Sequence, residues 1–163
     1  MPLLAERERR IYQRIEPFYS CPVRANSHAV FLRNDAYGKG HFGASRNGGR
    51  THKGIDFAIP LGEPVLSSKS GRVVFAGEEK GYGKYIELIH PDGLVTRYAH
   101  LSGLEVEEGA WVNQNRVIGK SGKTGNADHG SVLPHLHFEI RNRQGALSPT
   151  TQGLLDPSIT IKS

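Results

Sequence analysis

Several of the eight histidines in this 163-residue chain lie in patterns that could bind a metal ion or move protons. His135 and His137 flank Leu136 in the run HLHFEI. Side chains alternate along a strand, so both imidazoles would point to one face, with Cα atoms about 7 Å apart, and Leu136 would point to the other. Two imidazoles on one face can share a metal or catalytic site, but exposed polar residues show the same alternation.

A second motif, HKGID, places His52 and Asp56 just after a glycine-rich stretch at 37–49. A spacing of four would suit a helix face, but Gly54 and the β-branched Ile55 favour a bent approach to a strand. Such a bend would direct an imidazole and a carboxylate towards one ion, and both groups bind Zn²⁺. The same spacing is common at protein surfaces, so it indicates a site only together with other motifs.

The third element is His100, at the end of the run LVTRYAH and before a turn at Ser102 and Gly103. A single histidine at such a position is more often structural. A functional role for His100 is favoured because the three clusters occur together in one small chain. Cys21 is the one cysteine of the chain, so neither an intrachain disulfide nor a thiolate zinc cluster can form. Any metal site must use histidine and carboxylate, and we expect Cys21 to be buried.

The elements that would position these residues are short strands. From residue 64 onward, β-rich runs are separated by turn clusters such as PDG and KTGN. The runs are PVLSS, RVVFAG, KYIELIH, LVTRYAH, WV, RVIG and HLHFEIR. No run between them has the length and period of a helix, so we predict a mainly β fold, an antiparallel sheet or sandwich without βαβ units.

One short helix is predicted at the N-terminus, over residues 2–16. Apolar residues recur there at roughly helical spacing among charges of both signs, and Pro17 supplies a stop. These apolar residues are Leu3, Leu4, Ile11 and Ile15. We expect them to pack on the domain.

Composition and length indicate a turn-rich globular protein with one catalytic domain. The chain has 37% hydrophobic residues, 20 glycines and 9 prolines. We predict an N-terminal helix and lead-in over 1–36 and the catalytic domain over 37–163. The net charge of +5 favours an anionic partner, but the basic residues form no nucleic-acid-binding motif. No apolar stretch reaches the roughly 18 residues of a membrane-spanning segment.

Taken together, HKGID, GYGKYIELIHPDGLVTRYAHLS, EEGAWVNQNRVIGKSGKTGN and HLHFEI resemble the lysostaphin-type (LytM-like) zinc endopeptidases, which cut peptide bonds in bacterial peptidoglycan. The match covers residues 43–141 in family order. The resemblance implies that His52, Asp56 and His137 bind one zinc ion and that His100 and His135 are catalytic, acting on a metal-bound water. It also implies a small antiparallel sheet with lipoyl-like hairpins and a substrate groove.

Some assignments within the site stay open at this point. Either His100 or His135 could take the proton of the water, while the other stabilises or protonates the tetrahedral species. Glu139 shares the strand face of the histidine pair and could serve as a ligand or base, but the resemblance favours Asp56, and we expect Glu139 to support the site. We expect Arg46 to be a solvated loop residue.

The run ADHGSVLP is longer than the usual link in the family and brings Asp128 and His129 near the site. This loop could shape the groove. His129 is a possible competing ligand, although we expect it to be solvated.

Individual sequence features suggest three other functions. A non-catalytic cell-wall-binding or activator module of the same fold is the main alternative, and the presence of all five site residues argues against it. A carrier domain is suggested by Lys120 in VIGKSG, but a lysine in a glycine-flanked turn is usually just exposed. A phosphate-binding loop at GKSGKTG fails because Val117 stands where a glycine is required.

We expect a monomer that acts on a peptidoglycan peptide in the cell envelope. The bond it cuts, a cross-bridge or a stem-peptide cross-link, is not readable from the sequence. Residues 1–20 contain no apolar signal core, so a shortened chain and a phage-type lysin are both open.

Overall fold

A computed structural model describes residues 5–24 and 29–162, and strands dominate this part of the chain. Helix α1 spans Glu6–Ile15. The strands are β1 (Ala29–Phe31), β2 (Asn34–Asp35), β3 (Gly38–Lys39), β4 (Ile55–Ala58), β5 (Pro64–Leu66), β6 (Gly71–Glu79), β7 (Gly83–Ile89), β8 (Val95–Leu104), β9 (Trp111–Val112), β10 (Val117–Ser121), β11 (His135–Arg141), β12 (Ala146–Leu147) and β13 (Thr160–Lys162).

Most of the described strands form one nine-stranded antiparallel sheet. Its main path runs β12-β11-β8-β7-β6-β9, with β4 paired to β11 and with β10 paired to both β8 and β5. Two smaller pairs, β2 with β3 and the parallel pair β1 with β13, complete the strands. The predicted antiparallel β fold is confirmed, and each of the seven predicted runs contains a strand.

The core lies on one face of β11 and the candidate site on the other. Leu136, Phe138 and Ile140 are fully buried and belong to the hydrophobic core, as strand alternation requires. Residues of the lead-in before β1 join the same core: Tyr19, Cys21 and Val23. Burial of Cys21 is therefore confirmed, and the domain boundary at residue 36 stays a prediction.

The predicted N-terminal helix is present, but the packing expected of Ile11 and Ile15 is wrong. Ile11 and Ile15 are 44% and 63% exposed, while Leu3 and Leu4 lie outside the described residues. The chain is anchored just after the helix instead, because the buried Glu16 carboxylate accepts hydrogen bonds from the backbone N–H and the hydroxyl of Ser70. The apolar side of α1 therefore stays largely in solvent.

Within residues 5–24 and 29–162, no helix has the length and apolar character needed to cross a membrane.

Candidate metal centre

Three side chains from two adjacent segments converge on one point. The register of β4 and β11 places Asp56 directly opposite His137, and His52 reaches the same point from the bend before β4. Nε2 of His52 lies 3.0 Å from Oδ1 of Asp56 and 3.1 Å from Nδ1 of His137, and the latter two atoms are 2.7 Å apart. Of the residues described, these three form the one group whose ligand atoms are close enough to share a metal ion.

Gly54 makes this convergence possible by its small size. A Cβ atom at position 54 would lie 2.3 Å from the carbonyl oxygen of Phe138 and 3.0 Å from Cε1 of His137. The segment between His52 and Asp56 therefore passes directly against β11. The predicted bend at Gly54 is present, and close backbone approach is its reason.

Hydrogen bonds at the outer ring nitrogens indicate which nitrogens can act as ligands. Nδ1 of His52 lies 2.9 Å from the carbonyl oxygen of His41, and Nε2 of His137 lies 3.1 Å from Oε2 of Glu139. Each outer nitrogen is therefore assigned as an N–H donor, which leaves Nε2 of His52 and Nδ1 of His137 as the inner nitrogens. Two such nitrogens beside a carboxylate form a donor set that fits a divalent transition metal.

Charge at the convergence point is consistent with a cation site. Burial opposes the protonated imidazole, but the Asp56 and Glu139 carboxylates outweigh it and raise the pKa of His137 to about 9. Burial likewise opposes ionised Asp56, but hydrogen bonds from His137 and His52 hold the pKa of Asp56 well below its usual value. In the metal-free chain a proton therefore neutralises the cluster, and a bound metal would displace that proton.

His100 and His135 lie beside this group in the same groove. His135 precedes His137 by two residues on one face of β11. The orientation of His100 is set by a β-bulge in β8. Between the cross-strand pairs Tyr98–Ile86 and Leu101–Lys84, β8 has two residues, Ala99 and His100, whereas β7 has one residue. His100 adopts a φ of 65°, and its ring centroid is 5.0 Å from that of His135. The bulge thus aims His100 at the site.

The environment of these two histidines favours neutral imidazoles. Nδ1 of His100 lies 2.8 Å from the carbonyl oxygen of Thr124, and Nδ1 of His135 lies 2.8 Å from that of Leu133. Burial, with a smaller contribution from the neighbouring histidines, lowers the pKa of His100 to about 3, and burial also lowers the pKa of His135. Each ring therefore donates through Nδ1–H and has Nε2 as its proton-accepting nitrogen, which in His135 lies 3.7 Å from Oδ2 of Asp56.

The groove around the five residues has a volume of about 740 Å³. Its lining comes from the loop before His52, the turn between β6 and β7, and the loop before His135. Basic side chains outnumber acidic ones in this lining, five to three: Arg33, Arg46, Arg50, Lys53 and Lys80 against Asp56, Glu79 and Glu139.

Sequence reasoning misjudged or missed four polar residues at the site. Arg46 is not a solvated loop residue, because Nη2 lies 3.5 Å from Oδ2 of Asp56 and its side chain is 18% exposed. Tyr82 donates its hydroxyl to Oε2 of Glu139 at 2.6 Å, and Arg33 and Asp35 lie behind Asp56. These contacts join segments far apart in the chain, so no local spacing marked them.

The expected supporting position of Glu139 fits its contacts. Its carboxylate accepts from His137, Tyr82 and Arg141. His129 is exposed, lies with its ring centroid 4.5 Å from that of Tyr37, and is not part of the convergent ligand group.

Comparison with known proteins gives consistent matches. The sequence model of peptidase family M23 matches residues 50–149. The DD-carboxypeptidase/endopeptidase Mpg of Neisseria meningitidis serogroup B is 40% identical over 111 residues, which are 68% of this chain and 25% of that protein. This chain thus spans about a quarter of the length of the curated relatives it matches first.

Two solved structures are similar in fold and sequence. The catalytic domain of lysostaphin from Staphylococcus simulans aligns with a TM-score of 0.60 and 36% identity, covering 74% of this chain and 91% of that one. A zinc-containing peptidase from Vibrio cholerae aligns with a TM-score of 0.64 and 29% identity, covering 81% and 39% respectively.

Proposed function

This chain belongs to peptidase family M23, and on that premise we propose that it is a zinc-dependent endopeptidase that hydrolyses peptide bonds in bacterial peptidoglycan. The observation that carries the proposal is the convergence of Nε2 of His52, Oδ1 of Asp56 and Nδ1 of His137 within 3.1 Å of one another, inside a groove that also holds His100 and His135.

Zinc is the metal that best suits these donors. Two imidazole nitrogens and one carboxylate oxygen are typical of catalytic zinc sites, which use three protein ligands and keep a position open. His52, Asp56 and His137 would hold the ion. When bound there, zinc supplies Lewis-acid chemistry, lowering the pKa of water from about 15.7 to about 7 and polarising a carbonyl oxygen.

The catalytic roles proposed for His100 and His135 follow from their hydrogen bonds. Because both rings are neutral and donate through Nδ1–H to backbone carbonyls, each offers Nε2 to the groove. One ring would accept the proton of the attacking water at Nε2. The other, after taking up a proton from solvent at Nε2, would donate a hydrogen bond to the oxyanion or pass that proton to the leaving amine, while the proton taken from the attacking water returns to solvent.

The charge of the groove supports a peptide substrate that carries carboxylates. Five basic side chains stand against three acidic ones in its lining, two of the acidic ones, Asp56 and Glu139, are buried, and peptides of bacterial walls contain free carboxylates. We place the site of action in the cell envelope, where such a substrate lies.

The proposal is tested by incubating the chain with purified peptidoglycan and identifying released products by mass spectrometry. We expect peptide-containing fragments whose masses identify the bond cut, loss of cleavage with a chelator, and recovery with added zinc. His137→Ala serves as the matched inactive control. Zinc-loaded protein that binds the walls but releases nothing from any wall type would favour the non-catalytic module instead.

The carrier-domain alternative has less support from the fold. Lys120 lies within β10, where it pairs with Gly103 of β8 and Pro64 of β5, rather than at the tip of a turn.

A further inference from the structure

A buried ion pair lies behind the candidate site, between Arg33, just after β1, and Asp35, in β2. Nε and Nη2 of Arg33 donate to the two carboxylate oxygens of Asp35 at 2.7 and 3.0 Å. The two side chains are only 8% and 6% exposed. Bidentate pairs of this kind fix the planes of both groups, so the pair forms a rigid unit.

Arg33 also contacts the metal-ligand candidate Asp56. Its Nη1 donates to Oδ2 of Asp56 at 3.2 Å, and its backbone N–H donates to the Asp56 carbonyl at 2.9 Å. The other oxygen, Oδ1, is the one that faces His52 and His137. Arg33 therefore determines which carboxylate oxygen is presented to the metal position. Arg46 gives Oδ2 a longer and more exposed second contact.

Asp35 connects the same unit to the candidate catalytic His135. Its Oδ2 accepts the backbone N–H of Leu133 at 3.0 Å, and the carbonyl of Leu133 accepts Nδ1–H of His135 at 2.8 Å. Leu133, in the loop before β11, thus links the two residues: its N–H group binds Asp35 and its carbonyl group binds His135.

The Asp35 carboxylate is surrounded by donors. Oδ1 accepts from Nη2 of Arg33 and from the backbone N–H of Tyr37, while Oδ2 accepts from Nε of Arg33 and from Leu133. An asparagine of the same shape has one acceptor oxygen, and its NH₂ group would face N–H donors. The position therefore requires an ionised carboxylate.

We propose that Arg33 and Asp35 are positioning residues of the peptidase site, Arg33 orienting Asp56 for metal binding and Asp35 orienting His135 through the backbone of Leu133. This inference rests on the proposed function. The two residues act through Asp56 and His135, which come from different segments. One ion pair thereby keeps the metal position and the catalytic imidazole in register.

Zinc binding tests the Arg33 half without reference to activity. We expect Arg33→Met to weaken zinc affinity by about 10- to 100-fold, the usual cost of losing a residue that orients a ligand, measured by competition with a chelator of known affinity. Arg33→Lys should recover part of that affinity, because one ammonium can contact Asp56. It should not recover kcat, because lysine lacks the fork that also holds Asp35.

Asp35→Asn tests the other half. We expect a smaller loss of zinc affinity than in Arg33→Met, because Arg33 can still contact Asp56, together with faster hydrogen exchange at the Leu133 amide and, at saturating zinc, a kcat lowered by about tenfold with KM unchanged. Arg33→Met should thus mainly lower zinc affinity, whereas Asp35→Asn should mainly lower kcat through His135. General destabilisation would not produce this difference between the two variants.

Glu16→Gln is the matched control. Glu16 is a buried carboxylate whose partners, Ser70 and Lys69, do not line the groove. We expect this variant to lose stability but to keep wild-type zinc affinity and kcat when all variants are compared well below their Tm.

The proposal is overturned if Arg33→Met binds zinc as tightly as the wild type, or if Asp35→Asn leaves both Leu133 exchange and kcat unchanged. Should Arg33→Met fail to fold, Arg33→Lys and Asp35→Asn still decide the question. A wild-type chain that binds zinc but cuts no peptidoglycan would contradict the proposed function, whereas zinc affinity and Leu133 exchange would still test the positioning pair.

Discussion

At the scale of single residues, the acceptor at the outer ring nitrogen distinguishes His137 from the two candidate catalytic histidines, whereas His52, the other candidate ligand, donates to a backbone carbonyl as they do. The outer nitrogen of His137 donates to the Glu139 carboxylate, whereas those of His100 and His135 donate to neutral backbone carbonyls. A carboxylate partner increases the basicity of the ring and so its strength as a ligand. Burial, which outweighs these carbonyl partners, lowers the pKa of His100 and of His135 and leaves both rings neutral, with Nε2 available to accept a proton from activated water.

This difference predicts opposite results for two histidines that lie two positions apart. We expect His137→Ala to lose zinc and activity together, because it removes one of three ligands. His135→Ala and His100→Ala should keep about one zinc per chain while the cleavage rate falls by roughly 10²–10⁴-fold, the usual contribution of a positioned acid or base. Elemental analysis and cleavage rates of the three purified variants provide the measurement.

Asp56→Ala is the control for ligand loss and should behave like His137→Ala, and circular dichroism verifies that each variant is folded. Loss of zinc from His135→Ala with retention in His137→Ala would mean that the roles within the pair are reversed. Full activity of His100→Ala would refute the two-histidine mechanism even if the protein proves to be a peptidase.

At the scale of elements, the site depends on two local departures from regular strands. The bulge at Ala99 and His100 in β8 aims His100 into the groove, and the segment before β4 passes Gly54 against the backbone of β11. The first departure brings His100, and the second brings His52, close to β11. His135 and His137 already point to the same face of β11 because side chains alternate along the strand. Ligand geometry is therefore set by backbone packing as well as by side-chain identity.

We expect Gly54→Ala to be destabilising and to weaken zinc binding. The added methyl group would overlap the Phe138 carbonyl oxygen at 2.3 Å, so β4 and β11 must separate, and overpacking of this kind typically costs about 1–3 kcal/mol. Urea denaturation and chelator competition measure the two effects.

Gly130→Ala is the matched control, because a Cβ atom there meets no atom within 4 Å. It should leave stability and zinc affinity unchanged. Equal zinc affinity in the two variants would show that close packing at Gly54 does not set the ligand geometry.

The sequence could predict those features that depend on local patterns. Alternation correctly placed Leu136 and Phe138 in the core, and the PDG cluster lies in the turn between β7 and β8. The turn predicted at Ser102 and Gly103 is wrong, because β8 continues to Leu104. The sequence could not predict the bulge at His100, which depends on the register between β7 and β8, or the contact of Arg33 with Asp56, which joins two different segments. The helix packing was wrong because an amphipathic pattern does not reveal that Glu16, just beyond the helix, is the buried residue.

At the scale of the whole molecule, the lead-in and the C-terminal segment are part of the domain's core. The Tyr19 backbone pairs with Leu155, both residues are buried, and β1 pairs in parallel with β13. The Tyr19 hydroxyl donates to Asp92 in the turn after β7 at 2.7 Å. The two ends of the described chain therefore stabilise the sheet that carries the site.

His90 lies where the lead-in meets the sheet. It is fully buried, its ring contacts the edge of Tyr19 with centroids 5.3 Å apart, and its nitrogens lie 2.9 Å from the Ser70 carbonyl and 2.7 Å from Oγ1 of Thr96. Burial lowers the pKa of His90 from 6.5 to about 4, although the Ser70 carbonyl and Asp92 oppose part of this effect. The folded protein therefore holds a neutral ring at a junction between segments.

This position predicts how acid affects the stability of the metal-free protein. Between pH 6.5 and about 4, the unfolded chain binds a proton at His90 that the folded chain excludes. The free energy of unfolding therefore falls as pH is lowered through this window, by at most about 1.4 kcal/mol per pH unit. Below the window His90 adds no further loss of stability. The pKa values of His100 and His135 are also lowered, so the contribution of His90 must be measured as a difference between variants.

His90→Asn can still donate to Ser70 but does not titrate. Its free energy of unfolding should be lower than that of the wild type at pH 7, and the difference between the two proteins should narrow as pH falls to about 4.5. Urea denaturation with chelator across this range measures this difference, and parallel stability curves for the two proteins would show that His90 does not contribute to the acid sensitivity of the fold.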